Sequence, residues 1–168
     1  MKIPVFVSSP TSLNKNQEAQ RNLICSILDD LNLEPRALGR SDYPADFPLR
    51  EVLIIAKHCS GGVILGFNQF LATSGTWKPG TKKESALSGN AKFPTAWNNL
   101  EAGILFALRK PLLVFCEEGV TGGVFDPGVT DVFINKMPNL RSSQADLREI
   151  FLKWRDKVGS SYYSLANF

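Results

Sequence analysis

An α/β fold, with a parallel sheet covered by helices on both faces, is what this sequence of 168 residues predicts. Three observations lead there. Short apolar runs, IPVFVSS (3–9), GGVILGF (61–67) and PLLVFC (111–116), have the length and composition of buried strands. Segments between them repeat their apolar residues at helical spacing. The two kinds alternate along the chain, and parallel strands need such crossovers, which are right-handed. The arrangement these rules favour is a flavodoxin-like three-layer sandwich, with five parallel strands in the order 2-1-3-4-5.

The first strand, 3–9, ends at Ser-Pro. Asn14 and Gln17 then have the spacing of a capping box. They open a helix whose residues Leu23, Ile24, Ile27, Leu28 and Leu31 share a face, and Asn32 ends it. LEPRAL (33–38) is a weaker second strand, its Pro35 suited to an edge. After a Gly-Arg-Ser-Asp-Tyr-Pro loop, Pro48 opens a second helix through Leu49, Val52, Leu53 and Ala56 to near Cys59. GGVILGF is the third strand. Residues 68–94 are long for a loop in a compact domain, a length typical of lids and disordered insertions. Thr95 is the N-cap of a helix running to Arg109, whose core-facing stripe reads Leu100, Ile104, Ala107 and Leu108. PLLVFC is the fourth strand and DVFIN (131–135) the fifth. A last helix, capped at Ser142 or Ser143, carries Leu147, Ile150, Phe151 and Trp154 at helical spacing. One domain is expected over 1–158, with a loosely ordered tail at 159–168.

The net charge of +3 is mild and the basic residues are scattered, which fits a solvated surface better than a nucleic-acid footprint. No apolar run approaches the roughly 20 residues that span a bilayer. MKIPVFVSSP reads as a strand rather than a signal peptide, so a cytoplasmic protein with no membrane partner is expected. Cys25, Cys59 and Cys116 sit in apolar contexts, as reduced core thiols do. With one histidine and no ligand spacing, no metal site is expected.

In open parallel sheets ligands bind beyond the carboxyl ends of the strands, at the point where the strand order switches. The residues that reach this edge are Ser8 and Ser9 after strand one, Arg40 and Asp42 after strand two, and Phe67 and Asn68 after strand three. Arg40 beside Asp42 suits a phosphate or a ribose. The stretch PTAWNNLEAGILFALRKP (94–111) adds Trp97, Asn98 and Glu101. Glu101 lies at the edge of its helix's apolar stripe, with Trp97 and Leu105 one turn to either side. A carboxylate there is either a boundary residue paired with an arginine or a desolvated group whose pKa is raised, as catalytic carboxylates in clefts are.

Trp97-Asn98-Asn99-Leu100-Glu101 resembles the Trp-x-x-x-Glu pattern of TIR domains, and RKPLLVFCEEG after it fits the same family. The segment also resembles nucleoside 2-deoxyribosyltransferases, whose glutamate on the equivalent helix attacks an anomeric carbon. The likeness covers roughly 3–135. It departs from both patterns: no acidic residue precedes Glu18, strand one carries Phe6 where a tyrosine is usual, and 68–100 holds no aspartate. What it implies is N-glycosidic chemistry at Glu101. The first expectation is an NAD glycohydrolase or cyclase that requires no cofactor, in which Ser8, Ser9, Arg40, Asp42, Phe67, Asn68, Trp97 and Asn98 hold the nucleotide. By analogy such a protein serves in antiphage defence, as a homo-oligomer or with a partner defence protein. The rivals are a nucleoside or nucleotide deoxyribosyltransferase-like enzyme and a nucleotide-signal binding module without catalysis. A leaving base that needs a proton would look to Asp42, Tyr43 or His58.

Overall fold

A computed structural model describes residues 2–39, 42 and 47–165. The chain runs β1 (Ile3–Ser8), α1 (Lys15–Asp30), β2 (Leu33–Arg36), α2 (Pro48–His58) and β3 (Gly62–Gly66). An insertion follows with β4 (Phe70–Ala72), β5 (Thr76–Trp77), β6 (Ser85–Ala86) and β7 (Ala91–Phe93). Then come α3 (Ala96–Ala107), β8 (Leu112–Cys116), a 3-10 turn at Gly123–Phe125, β9 (Ile134–Lys136) and α4 (Ala145–Leu165). The central sheet has the order β2-β1-β3-β8-β9 with every pair parallel, which is the predicted order.

The period of two in the strands divides the core into two layers. Val5 and Val7 of β1, Val63 and Leu65 of β3 and Phe115 of β8 face α1 and α4, where they meet Ile24, Leu28, Phe151 and Trp154. Phe6, Ile64 and Val114 face the other way, against Val52 and Ala56 of α2 and Ala102 and Leu105 of α3. Gly62 makes that second layer close: a Cβ there would sit 2.6 Å from Cδ1 of Leu105.

The local signals act as expected at most ends. Asn14 Oδ1 accepts from Gln17 N at 2.9 Å while Gln17 Oε1 accepts from Asn14 N at 3.1 Å, closing the capping box. Pro48 occupies the first turn of α2, and Pro35 lies in the edge strand β2. Ala145 N donates to Ser143 Oγ at 3.3 Å where α4 begins.

Four elements differ from expectation. The insertion is a folded double hairpin: β4 pairs with β7 and β5 with β6, both antiparallel, with the Phe93 ring 6.0 Å from that of Trp77. The fifth strand begins at Ile134, opposite Val114, and Phe133 just before it lies outside the ladder and is 90% exposed. The tail expected from 159 continues α4 to Leu165. The buried face of α3 is Asn98, Glu101, Ala102 and Leu105, about one residue's rotation from the predicted stripe, and Leu100 is exposed. That helix is apolar nearly all round, so spacing alone did not select a face.

Candidate functional site

The turn of α3 nearest the sheet edge builds the site. Thr95 is its N-cap, and Asn98 and Glu101 follow at successive steps of three, on one face. That face meets the carboxyl end of β1, where Ser8 shares the parity of Phe6 and so points at α3. Ser8 Oγ donates to Glu101 Oε2 at 2.5 Å. Asn98 Nδ2 donates to Ser8 Oγ at 2.8 Å and to the Leu65 carbonyl at 3.4 Å. Thr95 Oγ1 donates to Asn98 Oδ1 at 2.9 Å and accepts from Asn98 N at 3.2 Å.

Glu101 is 9% exposed. No arginine or lysine among the described residues pairs with it. Burial therefore pushes its carboxyl up from 4.5 to about 7, and the Ser8 hydrogen bond pulls against that rise. Its second oxygen, Oε1, has no hydrogen-bond partner among the described residues. The side chain lines a cavity of about 480 Å³ whose walls also include Ser9, Pro10, Thr11, Ser12, Gln69 and Trp97. Glu101 is the one titratable group in that wall among the described residues. A carboxylate that is dry on one side and open on the other can stabilise or attack a developing cation.

The structure brings together Ser9, Trp97, Asn98 and Glu101 in the cavity wall, with Ser8 fully buried just behind Glu101. Three other expected residues lie elsewhere. Phe67 is fully buried among Val5, Val7 and Phe115, because its parity in β3 sends it to the α1–α4 layer. Asp42 takes two hydrogen bonds at 3.0 Å from Arg36 Nε and a third contact from Nη2, and so is held in an ion pair. Asn68 is absent from the cavity wall; its backbone N–H donates to Glu117 Oε2, just past β8, and its backbone carbonyl accepts from Gln17 Nε2 of α1. Arg40 lies outside the described residues, as does Tyr43. His58 is exposed at the far end of α2.

Sequence reading saw Thr95 only as a cap, and did not single out Thr11, Ser12 or Gln69. The signal for Thr95 was its step of three to Asn98 and again to Glu101, a polar stripe on an otherwise apolar helix. The thiols of Cys59 and Cys116 are buried and pushed up to about 12 and about 11 by that burial, which leaves them protonated and unreactive. A larger groove of about 1130 Å³ lies at the opposite end of the sheet, between Lys110, Phe133 and Lys153. Its one lining carboxylate, Asp131, is exposed, so the smaller cavity is the better site for chemistry.

The fold of the chain has a counterpart among solved structures. The structure of the Clostridium botulinum CMP N-glycosidase BcmB matches it at a TM-score of 0.51 over 91% of this chain and 97% of that one, with 12% identity. At that identity the likeness is one of fold alone. No family model matches the sequence, TIR domains included, and no curated protein does. Among the described residues, no helix is long and apolar enough to cross a membrane, and no three His, Cys, Asp or Glu come together as metal ligands.

Proposed function

We propose that the protein cleaves the N-glycosidic bond of a small nucleotide-class substrate, with Glu101 as its catalytic carboxylate. The observation that carries this is the state of Glu101: buried, tied through one oxygen to Ser8, unbonded at the other among the described residues, and the one titratable group in the described wall of a cavity. The fold of the CMP N-glycosidase supports the same class of chemistry. The cavity volume lies in the lower half of the ~300–1,000 Å³ usual for ligand sites, which favours a nucleoside or mononucleotide over a dinucleotide.

In this reaction the C1′–N bond breaks and its electron pair leaves with the base. Positive charge grows on the ribose ring, as in other glycosidic cleavages. The ionised Glu101 sits against that charge, or bonds to C1′ and is displaced again when water adds there; the proton that water gives up goes to the departing base, and Glu101 is left ionised as it began. The burial of Glu101 keeps water from most of its carboxylate, which strengthens the attraction. No step draws on a cofactor.

A second reading has NAD as substrate. It is favoured by the lack of any other titratable group in the described wall. Nicotinamide leaves from a cation and needs no proton, whereas a pyrimidine or purine does. The two readings separate on one experiment. Purified protein is incubated with CMP, other nucleoside monophosphates, nucleosides and NAD, and released base is followed by chromatography, with Glu101→Gln in parallel. Release of a nucleobase by the wild type and not by the variant supports the first reading. Release of nicotinamide alone supports the second. Equal release by wild type and variant, or none from any substrate, overturns Glu101 catalysis.

A further inference from the structure

The hydrogen bonds behind Glu101 have a direction, and the direction follows from chemistry rather than from distances alone. A carbonyl oxygen only accepts, so the Asn98 atom facing the Leu65 carbonyl at 3.4 Å must be Nδ2. The Asn98 carbonyl then faces Thr95. Thr95 Oγ1 already accepts from Asn98 N, so its own proton goes to Asn98 Oδ1. The Leu65 carbonyl thus holds the amide one way round, and the Thr95 hydroxyl complements it as donor to Oδ1. Asn98 Nδ2 fills a lone pair of Ser8 Oγ, and the Ser8 proton is left to point at Glu101 Oε2.

We propose that Thr95 and Asn98 are positioning residues for Glu101: they set the direction of the Ser8 hydroxyl, so that Oε2 accepts and Oε1 is the oxygen that meets substrate. This rests on the reading of Glu101 as the catalytic carboxylate. Asn98, though it lines the cavity, is 1% exposed and acts through Ser8 rather than on the ligand. When Glu101 carries a proton, the arrangement places it on Oε1, the cavity side. The cap of the helix and the reacting carboxylate are therefore one wired unit. The elements packed on α3 carry other titratable groups: Arg50, Glu51, Lys57 and His58 on α2, Cys116 on β8, and Asp126 after the 3-10 turn. None of them is a cause of the Glu101 shift, for which burial and Ser8 account.

The test is a carboxyl-carbon NMR titration of Glu101, its signal assigned by its loss in Glu101→Gln. Ser8→Ala removes the one hydrogen bond that favours the ionised form, so the ionised-to-neutral ratio at pH 7 falls about tenfold, the scale of a hydrogen bond to a charged group. Thr95→Gly removes the hydroxyl while keeping a good helix cap, and should lower the ratio in the same direction, by about twofold or more. Thr95→Ser should restore the wild-type midpoint. In a Ser8→Ala background Thr95→Gly should add nothing, because the wire is already cut. An unchanged midpoint in Thr95→Gly, or an equal further shift in the Ser8→Ala background, overturns the proposal. The titration needs no turnover. Expected shifts in a protein that releases no base would leave the wiring standing and remove the proposed activity.

Discussion

Glu101 costs the fold something that catalysis can use. Its carboxyl is neutral in the folded chain up to about 7 but ionises near 4.5 when unfolded. Between those values the folded chain keeps a proton the unfolded chain has lost, so stability falls as pH rises through that window. The full loss, about 3 kcal/mol, is reached above pH 7. Glu101→Gln should therefore match the wild type in denaturant unfolding at pH 4 and exceed it by up to that amount at pH 8. The same variant should lose base release by about two orders of magnitude or more, as removal of a charge-stabilising group does. For the wild type, cleavage should rise with pH and level off above about 7, because the ionised form is the one that faces the ribose cation. Glu101 was legible as a candidate because a carboxylate amid an apolar helix is rare. Phe67 faces the core rather than the crevice because, one residue past β3, it continues the alternation of Val63 and Leu65.

At the scale of elements, β3 and α3 depend on close approach. Gly66 lies under the Phe125 ring, where a Cβ would clash with ring atoms 2.7 and 2.9 Å away. Gly66→Ala should cost about 1–3 kcal/mol by overpacking, seen as a lower denaturation midpoint with an unchanged slope. The hairpin insertion behaves oppositely. Its tip, 75–86, is exposed throughout, and its base is tied down by Gln69 N to the Phe93 carbonyl at 2.9 Å and Thr121 N to the Lys92 carbonyl at 3.1 Å. Replacing 74–88 with a short turn should leave the melting temperature within a few degrees, since the tip buries little beyond the contact of Trp77 with Phe93. Helix ends were legible because Asn14, Pro48 and Thr95 act through local chemistry. The face of α3 was not, because Asn98 and Glu101 of its polar stripe are buried against Ser8, ninety-odd residues away in the chain.

For the whole molecule, the strand order was legible because alternation, handedness and short connections leave few ways to build a parallel sheet. What covers the outer faces of α2 and α3 was not. Leu53, Ile54, Trp97 and Leu100 are 37–43% exposed there. If that surface joins copies of this chain, sedimentation velocity should show a concentration-dependent species, and Leu100→Glu should return it to the monomer. A single sedimenting monomer at every concentration would reject that assembly.

The sheet's margins have a consequence of another kind. One edge is β2, four residues with a proline among them, and the other is β9, three residues long. A foreign strand arriving at either side finds only a few free rungs, and at Pro35 one of them lacks its donor. Templated β-aggregation thus has no good starting surface on the central sheet. Clumping on heating should begin only where the sheet itself comes apart, and so track global unfolding rather than precede it.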